Sequence, residues 1–161
     1  MPLPGRCMTH SSRQWTDMTT ESFSEKDTYK LGESLGRSAR SGQIFCLDGD
    51  LGCGKTVFCA GFAKGLGINT PICSPTFTIL QIYEEGRLPL YHFDVYRISD
   101  PLEMEEVGFD EYIFSEGVSL IEWGSIIDEI LPARTIRVTI EKDLEKGPDF
   151  RRITIDEASC D

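Results

Sequence analysis

The stretch that decides the fold runs from Gln43 to Thr56: Gln43-Ile44-Phe45-Cys46-Leu47-Asp48, then Gly49-Asp50-Leu51-Gly52-Cys53-Gly54-Lys55-Thr56. The first six residues are a short, mostly apolar run of the kind that forms a buried parallel strand. The next eight fit the pattern Gly, four residues, Gly-Lys-Thr of a phosphate-binding loop, with a third glycine inside it. Without Cβ atoms at 49, 52 and 54, the backbone can come close to an anion and line a concave nest of N–H groups. Lys55 offers a point charge to the β and γ oxygens of a nucleotide, and the Thr56 hydroxyl is placed to ligate Mg²⁺. From Thr56 onward, Val57, Phe58, Ala60, Gly61, Ala63, Lys64 and Leu66 suit a helix that Gly65 and Gly67 end. Its N-terminus would aim partial positive charge at the phosphates.

Outward from this centre, Ser24 followed by Asp27 forms a capping-box-like start to a helix. Tyr29, Leu31, Leu35 and Ala39 form one face of that helix, and Gly42 ends it. Ahead of it, residues 1–17 are rich in Pro, Ser, Arg and Thr without an apolar period, and Met18 is a plausible alternative start. Residues 1–20 are therefore assigned to a disordered N-terminal extension and 21–161 to a single domain. Downstream, 79–83 and 88–93 read as strands joined by a hairpin loop at 84–87. Pro101 opens a helical turn, 111–115 is short and irregular, and 118–121 is a further apolar strand ending at Glu122-Trp123. Residues 126–131 read as a short helix stopped by Pro132. A closing β pair covers 135–141 and 151–156. The order predicts an α/β domain with a mixed β-sheet flanked by helices and one nucleotide site at the strand C-termini.

The chain of 161 residues has room for one core, and its net charge of −11 disfavours direct contact with a nucleic-acid backbone. Most of the imbalance lies between Asp94 and Glu129, where Arg97 is the only base. That stretch reads either as a solvated acidic face or as a docking face for a more basic protein. No run approaches the roughly 18 apolar residues of a membrane span, and no secretory signal opens the chain. The six cysteines form no CxxC pair and no metal-ligand spacing with His10 or His92. They read as reduced thiols of a cytosolic protein, with neither zinc nor disulfide expected.

A phosphate loop needs an acid to complete a Mg²⁺ site, and two acids close apolar strands: Asp94 and Glu122. Thr76, in Ser74-Pro75-Thr76, reads either as a γ-phosphate sensor or as part of a proline-initiated turn. Trp123 is read as core rather than site, and His92 as a packed strand residue rather than a base. Arg97 and Arg151 are the bases best placed to meet phosphate or a partner.

Taken together, Gly49-Asp-Leu-Gly-Cys-Gly-Lys-Thr56, Ser74-Pro-Thr-Phe77, His92-Phe-Asp-Val-Tyr-Arg97 and Leu120-Ile-Glu-Trp123 closely resemble the TsaE (YjeE) family. These are small P-loop ATPases of tRNA threonylcarbamoyladenosine modification. The resemblance runs from about Glu21 to the end of the chain. It implies that Gly49, Asp50, Leu51, Gly52, Cys53, Gly54, Lys55 and Thr56 hold the ATP phosphates, with Thr56 and Glu122 serving Mg²⁺. It further implies that Asp94 orients or activates the attacking water, that Thr76 sits in a switch-like loop, and that Ser24 and Arg151 lie near the nucleotide. The implied partners are the TsaD and TsaB proteins, with tRNA met only indirectly through that complex. Cys53 departs from the alanine usual in the family. Its side chain is expected to point away from the anion, and a bulky maleimide on it to abolish ATP binding. A small-molecule P-loop kinase and a nucleotide-gated binding module without turnover are the alternative functions.

Overall fold

Hydrophobic continuity puts the strand before the phosphate loop in the middle of the sheet. The computed structural model describes residues 18–157. Seven strands, β1 (Met18–Ser22), β2 (Ile44–Asp48), β3 (Leu80–Tyr83), β4 (Leu90–Asp94), β5 (Val118–Glu122), β6 (Ile136–Lys142) and β7 (Arg151–Glu157), form one sheet in the order β1-β7-β6-β2-β5-β4-β3. β2 pairs parallel with β5 and β6, and β5 parallel with β4. Antiparallel pairs close both edges, β3 on β4 at one side and β6-β7-β1 at the other. The parallel centre explains why β2 and β5 read as unbroken apolar runs: a strand covered on both faces has no polar side.

One face is covered by α1 (Glu25–Ser38) and α2 (Lys55–Gly65), which build a core with Phe45, Leu47, Leu120, Val138 and Ile153. The two helices pack closely because glycines face each other's backbone. A Cβ on Gly61 would fall inside the contact shell of Tyr29 O, and one on Gly36 inside that of Phe62 O. The opposite face is covered by short segments: a 3₁₀ turn at Pro101–Glu103, α3 (Met104–Val107), α4 (Phe109–Ile113) and the 3₁₀ turns of Gly124–Ile130. These bury Met104, Phe109, Ile113 and Ile127 against Phe93 and Ile121. Among the described residues no helix is long and apolar enough to cross a membrane.

Three expectations are corrected. The domain does not begin at residue 21, because Met18–Ser22 is an edge strand, with Met18 opposite Ile155 and Ser22 opposite Arg151. Its sequence, Met-Thr-Thr-Glu-Ser, has little strand character of its own, and its pairing with β7 supplies the hydrogen bonds. Residues 1–17 of the expected extension lie outside the described residues. The stretch 111–115 is not irregular throughout: Gly108, at φ 77°, starts α4, which buries Phe109 and Ile113 one helical turn apart. The helix expected at 126–131 is 3₁₀ and starts earlier, at Gly124, with a kink at Ile127.

Candidate nucleotide site

The turn from β2 into α2 is shaped by glycine conformation. Gly54 caps α2 at φ 106°, in the left-handed region. Gly49 sits at φ 157°, where a Cβ would lie 2.6 Å from both Ile140 O and Cys53 Sγ. Within this turn Cys53 N–H donates to Asp50 O at 3.1 Å, and the Cys53 side chain is buried in the core behind the loop. Lys55 is also buried; its ammonium donates to Gly49 O and to Asp50 O (3.0 Å) and lies 4.1 Å over the Trp123 ring. Thr56, by contrast, is exposed at the first turn of α2.

Parallel pairing of β4 and β5 brings the two strand-closing acids together, with Asp94 directly opposite Glu122. Both are buried, at 6% and 3% exposure. The Ser74 hydroxyl lies between them, 2.5 Å from Asp94 Oδ2 and 3.1 Å from Glu122 Oε2. Thr76 Oγ1 is 3.4 Å from the same Asp94 oxygen, and Tyr96 N–H donates to Asp94 Oδ1 at 3.1 Å. His92 Nε2 is 2.9 Å from Glu122 Oε2.

These groups share a cavity of about 480 Å³ lined by Glu25, Leu51, Gly52, Gly54, Lys55, Thr56, Ser74, Thr76, Asp94, Tyr96, Glu122 and Trp123. A smaller adjoining space of about 80 Å³ is lined by Ser24, Thr28, Cys53, Asp149 and Arg151 beside the other side of the loop. Thus Lys55, Thr56, Thr76, Asp94 and Glu122 come together, while Ser24 and Arg151 form a separate flank. Ser24 uses its hydroxyl to cap α1 through Asp27 N–H (3.1 Å). Arg151 Nε donates to Cys53 O at 2.7 Å and so braces the loop from behind. Asp50 and Gly49 contribute carbonyls to Lys55 and line neither space.

Reading Trp123 as core alone is corrected: half-buried, it packs against the core cluster of Phe93 and Ile121 and also lines the larger cavity and covers Lys55. A left-handed backbone, φ 63°, turns its indole back over the loop directly after Glu122, and Tyr96 packs against it with ring centroids 4.9 Å apart. Arg97 does not reach the cavity; it stacks over exposed Phe77, 4.6 Å from the ring centre. Ser74 and Tyr96 were missed as site residues, although each stands two positions from a residue the motifs had singled out. Nor did spacing along the chain reveal that donor atoms of Cys59, His92 and Glu122 lie within 4.8 Å of one another. Burial, reinforced by Glu122 and Asp94, holds the Cys59 thiol well above its ordinary range, so it sits there protonated.

Oxygen donors dominate the cavity: the buried carboxylates of Asp94 and Glu122, the exposed one of Glu25, and the hydroxyls of Thr56, Ser74 and Thr76, with the Lys55 ammonium. That set suits a hard divalent cation. The loop amides and Lys55 suit the phosphates themselves.

A family model described as "Threonylcarbamoyl adenosine biosynthesis protein TsaE" matches residues 22–153. A protein of Bacillus subtilis named tRNA threonylcarbamoyladenosine biosynthesis protein TsaE is 45% identical over 129 residues, covering 80% of this chain and 78% of that one. A Treponema pallidum protein of the same name is 42% identical, covering 76% of this chain and 90% of its own. Among solved structures, crystalline Bacillus subtilis YdiB superposes with a TM-score of 0.76 at 38% identity, over 89% of this chain and 87% of that one.

Proposed function

Because the chain belongs to the TsaE family, we propose that it is a Mg²⁺-dependent ATPase that acts with the TsaD–TsaB complex. Its role there would be in forming the threonylcarbamoyl group on adenosine 37 of ANN-decoding tRNAs. The observation that carries this reading is the meeting, in one cavity, of a phosphate loop with two buried acids at the ends of neighbouring strands. Phosphates would settle on amides of the loop, and the Lys55 ammonium would exchange part of its contact with Gly49 O and Asp50 O for phosphate oxygens. Thr56 and Glu122 are the residues that would hold Mg²⁺, whose positive charge would offset the negative charge of the phosphate oxygens.

Asp94 is the residue best placed to orient a water and take its proton, since its Oδ2 faces the hydroxyls of Ser74 and Thr76 at the cavity. Thr76 lies on the loop between α2 and β3, positioned to close on the γ-phosphate. Arg151 and Ser24 would support the loop and flank the rest of the nucleotide. The acidic surface between 94 and 129 suits a protein partner better than tRNA itself, so tRNA would be met through the complex.

The test is phosphate release from Mg²⁺-ATP, measured alone and with the cognate TsaD–TsaB complex. Slow release that rises with the complex is expected. Transfer to a small-molecule acceptor would replace this reading with a kinase. Tight ATP binding with no release under either condition would leave a nucleotide-gated binding module.

A further inference from the structure

His92 and Asp94 point to one side of β4, because side chains alternate along a strand, and Glu122 lies diagonally across from His92 on β5. The His92 ring and the Glu122 carboxylate are both withdrawn from solvent and meet at 2.9 Å. A carboxylate oxygen accepts, so Nε2 carries the donated proton. Nδ1, buried, has no hydrogen-bond partner among the described residues. A ring held by only one of its two nitrogens is oriented toward that one contact.

Glu122 has a second neighbour, the Ser74 hydroxyl, but a hydroxyl has a single proton. Its shorter contact, 2.5 Å to Asp94 Oδ2 against 3.1 Å to Glu122 Oε2, claims that proton for Asp94. His92 is therefore the donor committed to Glu122. Both contacts fall on Oε2, which leaves Oε1 as the oxygen that the ring does not hold.

We propose that His92 is a positioning residue: its Nε2–H fixes the Glu122 carboxylate against the repulsion of Asp94 and so preforms the cation site beside Thr56. This rests on the reading of Glu122 as a Mg²⁺ ligand. Outer partners that orient a metal ligand typically change metal affinity by about 10- to 100-fold.

The experiment compares wild type with H92F, H92Q and H92N. Gln carries an amide N–H at about the reach of Nε2, whereas Asn carries it at the level of Nδ1, which faces no partner. Three readouts are taken: affinity for a fluorescent ATP analogue in EDTA, the Mg²⁺ concentration that half-maximally enhances that binding, and Mn²⁺ bound to the protein–nucleotide complex by electron paramagnetic resonance. H92F and H92N are expected to need about 10-fold more Mg²⁺ and to bind Mn²⁺ correspondingly weakly, with affinity in EDTA unchanged. H92Q is expected to stay within about threefold of wild type. Should H92F fail to fold, the contrast of H92N with H92Q decides.

Wild-type cation dependence in H92F and H92N, or equal impairment of H92Q and H92N, would overturn the proposal. Cation-independent nucleotide binding by wild type itself would overturn the functional reading as well, which separates the two failures.

Discussion

Asp94→Asn separates folding from chemistry at this site. The native carboxylate accepts from Tyr96 N–H at 3.1 Å through Oδ1 and from Ser74 at 2.5 Å through Oδ2. An asparagine can keep its carbonyl on Tyr96 and turn its NH₂ toward Ser74 Oγ, which accepts once its hydroxyl rotates to donate to Glu122 Oε2, 3.1 Å away. Tyr96 N–H, Ser74 and Glu122 then keep partners, Thr76 Oγ1 gives up its 3.4 Å contact with Oδ2, and the substitution also removes one of two adjacent acids. Stability should change by less than about 1 kcal/mol, the net worth of one ordinary hydrogen bond. Hydrolysis is different, because an amide cannot take a proton from water. Loss of a general base typically lowers the rate by roughly 100- to 10,000-fold, which corresponds to about 3 to 5 kcal/mol of barrier. The assay is phosphate release in the presence of TsaD–TsaB, with a thermal melt and a fluorescent-nucleotide titration on the same samples. Asp94→Ala would be less clean, since it strips the acceptor from Tyr96 N–H. If Asp94→Asn is folded, saturated with nucleotide and hydrolyses within threefold of wild type, the role given to Asp94 is wrong.

Three further outcomes are expected. Gly61→Ala should destabilise: helix propensity favours alanine by up to about 1 kcal/mol, but its Cβ meets the Tyr29 carbonyl, and overpacking of this kind costs typically 1 to 3 kcal/mol. A melting temperature equal to or above wild type would refute the close packing of α1 on α2. Burial, with Asp48 beside it, pushes the Cys46 thiol from an ordinary 9.0 up to about 12. A thiol that ionises only in the unfolded chain lowers stability as pH rises, so stability is intact below pH 9 and falls from there toward 12. The full span is worth on the order of 4 kcal/mol; Cys46→Ala should flatten that slope, and an unchanged slope in urea titrations across this range would count against it. Maleimide should label exposed Cys73 much faster than buried Cys53, and protein labelled at Cys53 should lose ATP binding. Peptide mapping with binding measured on the labelled fraction checks both points, and retained affinity would mean that the loop tolerates a displaced backbone.

What the sequence made legible was local or periodic. The strand–loop–helix from Gln43 to Leu66 could be read because burial on both faces of β2 and the glycine spacing each leave a mark within a few residues. The acids at the ends of β4 and β5 were visible for the same reason, since each closes an apolar run. β1 was not visible: Met-Thr-Thr-Glu-Ser has no apolar alternation, its exposure alternates as in an edge strand, and β7, over a hundred residues away, determines its conformation. Trp123 was misplaced because its position depends on a left-handed backbone that no composition rule expects of tryptophan. Contacts such as His92 on Glu122 or Arg151 on the Cys53 carbonyl depend on strand order, which pairs positions 30 and 98 residues apart.

The backbone adds a physical argument about why this cavity is where chemistry belongs. Among the described residues, Ile79 and Trp123 are the non-glycine positions with positive φ, at 67° and 63°. Such conformations cost on the order of 1 to 3 kcal/mol each and persist only where surroundings compel them. Each adjoins one of the acids. Ile79 accepts from Asp94 N–H at 2.8 Å and donates to Pro75 O at 2.8 Å, so it ties the Ser74–Thr78 loop to the end of β4. Trp123 follows Glu122 and donates to Leu47 O at 3.0 Å, so it ties the end of β5 to the strand that feeds the phosphate loop. The fold thus holds strain at the two points that bring the hydroxyl-bearing loop and the indole over the acids and Lys55. Two buried carboxylates beside a single inward-held ammonium are a poor bargain for stability by themselves. They make physical sense as the place for a divalent cation, which would offset the two acids while Lys55 meets the anion that the cation accompanies.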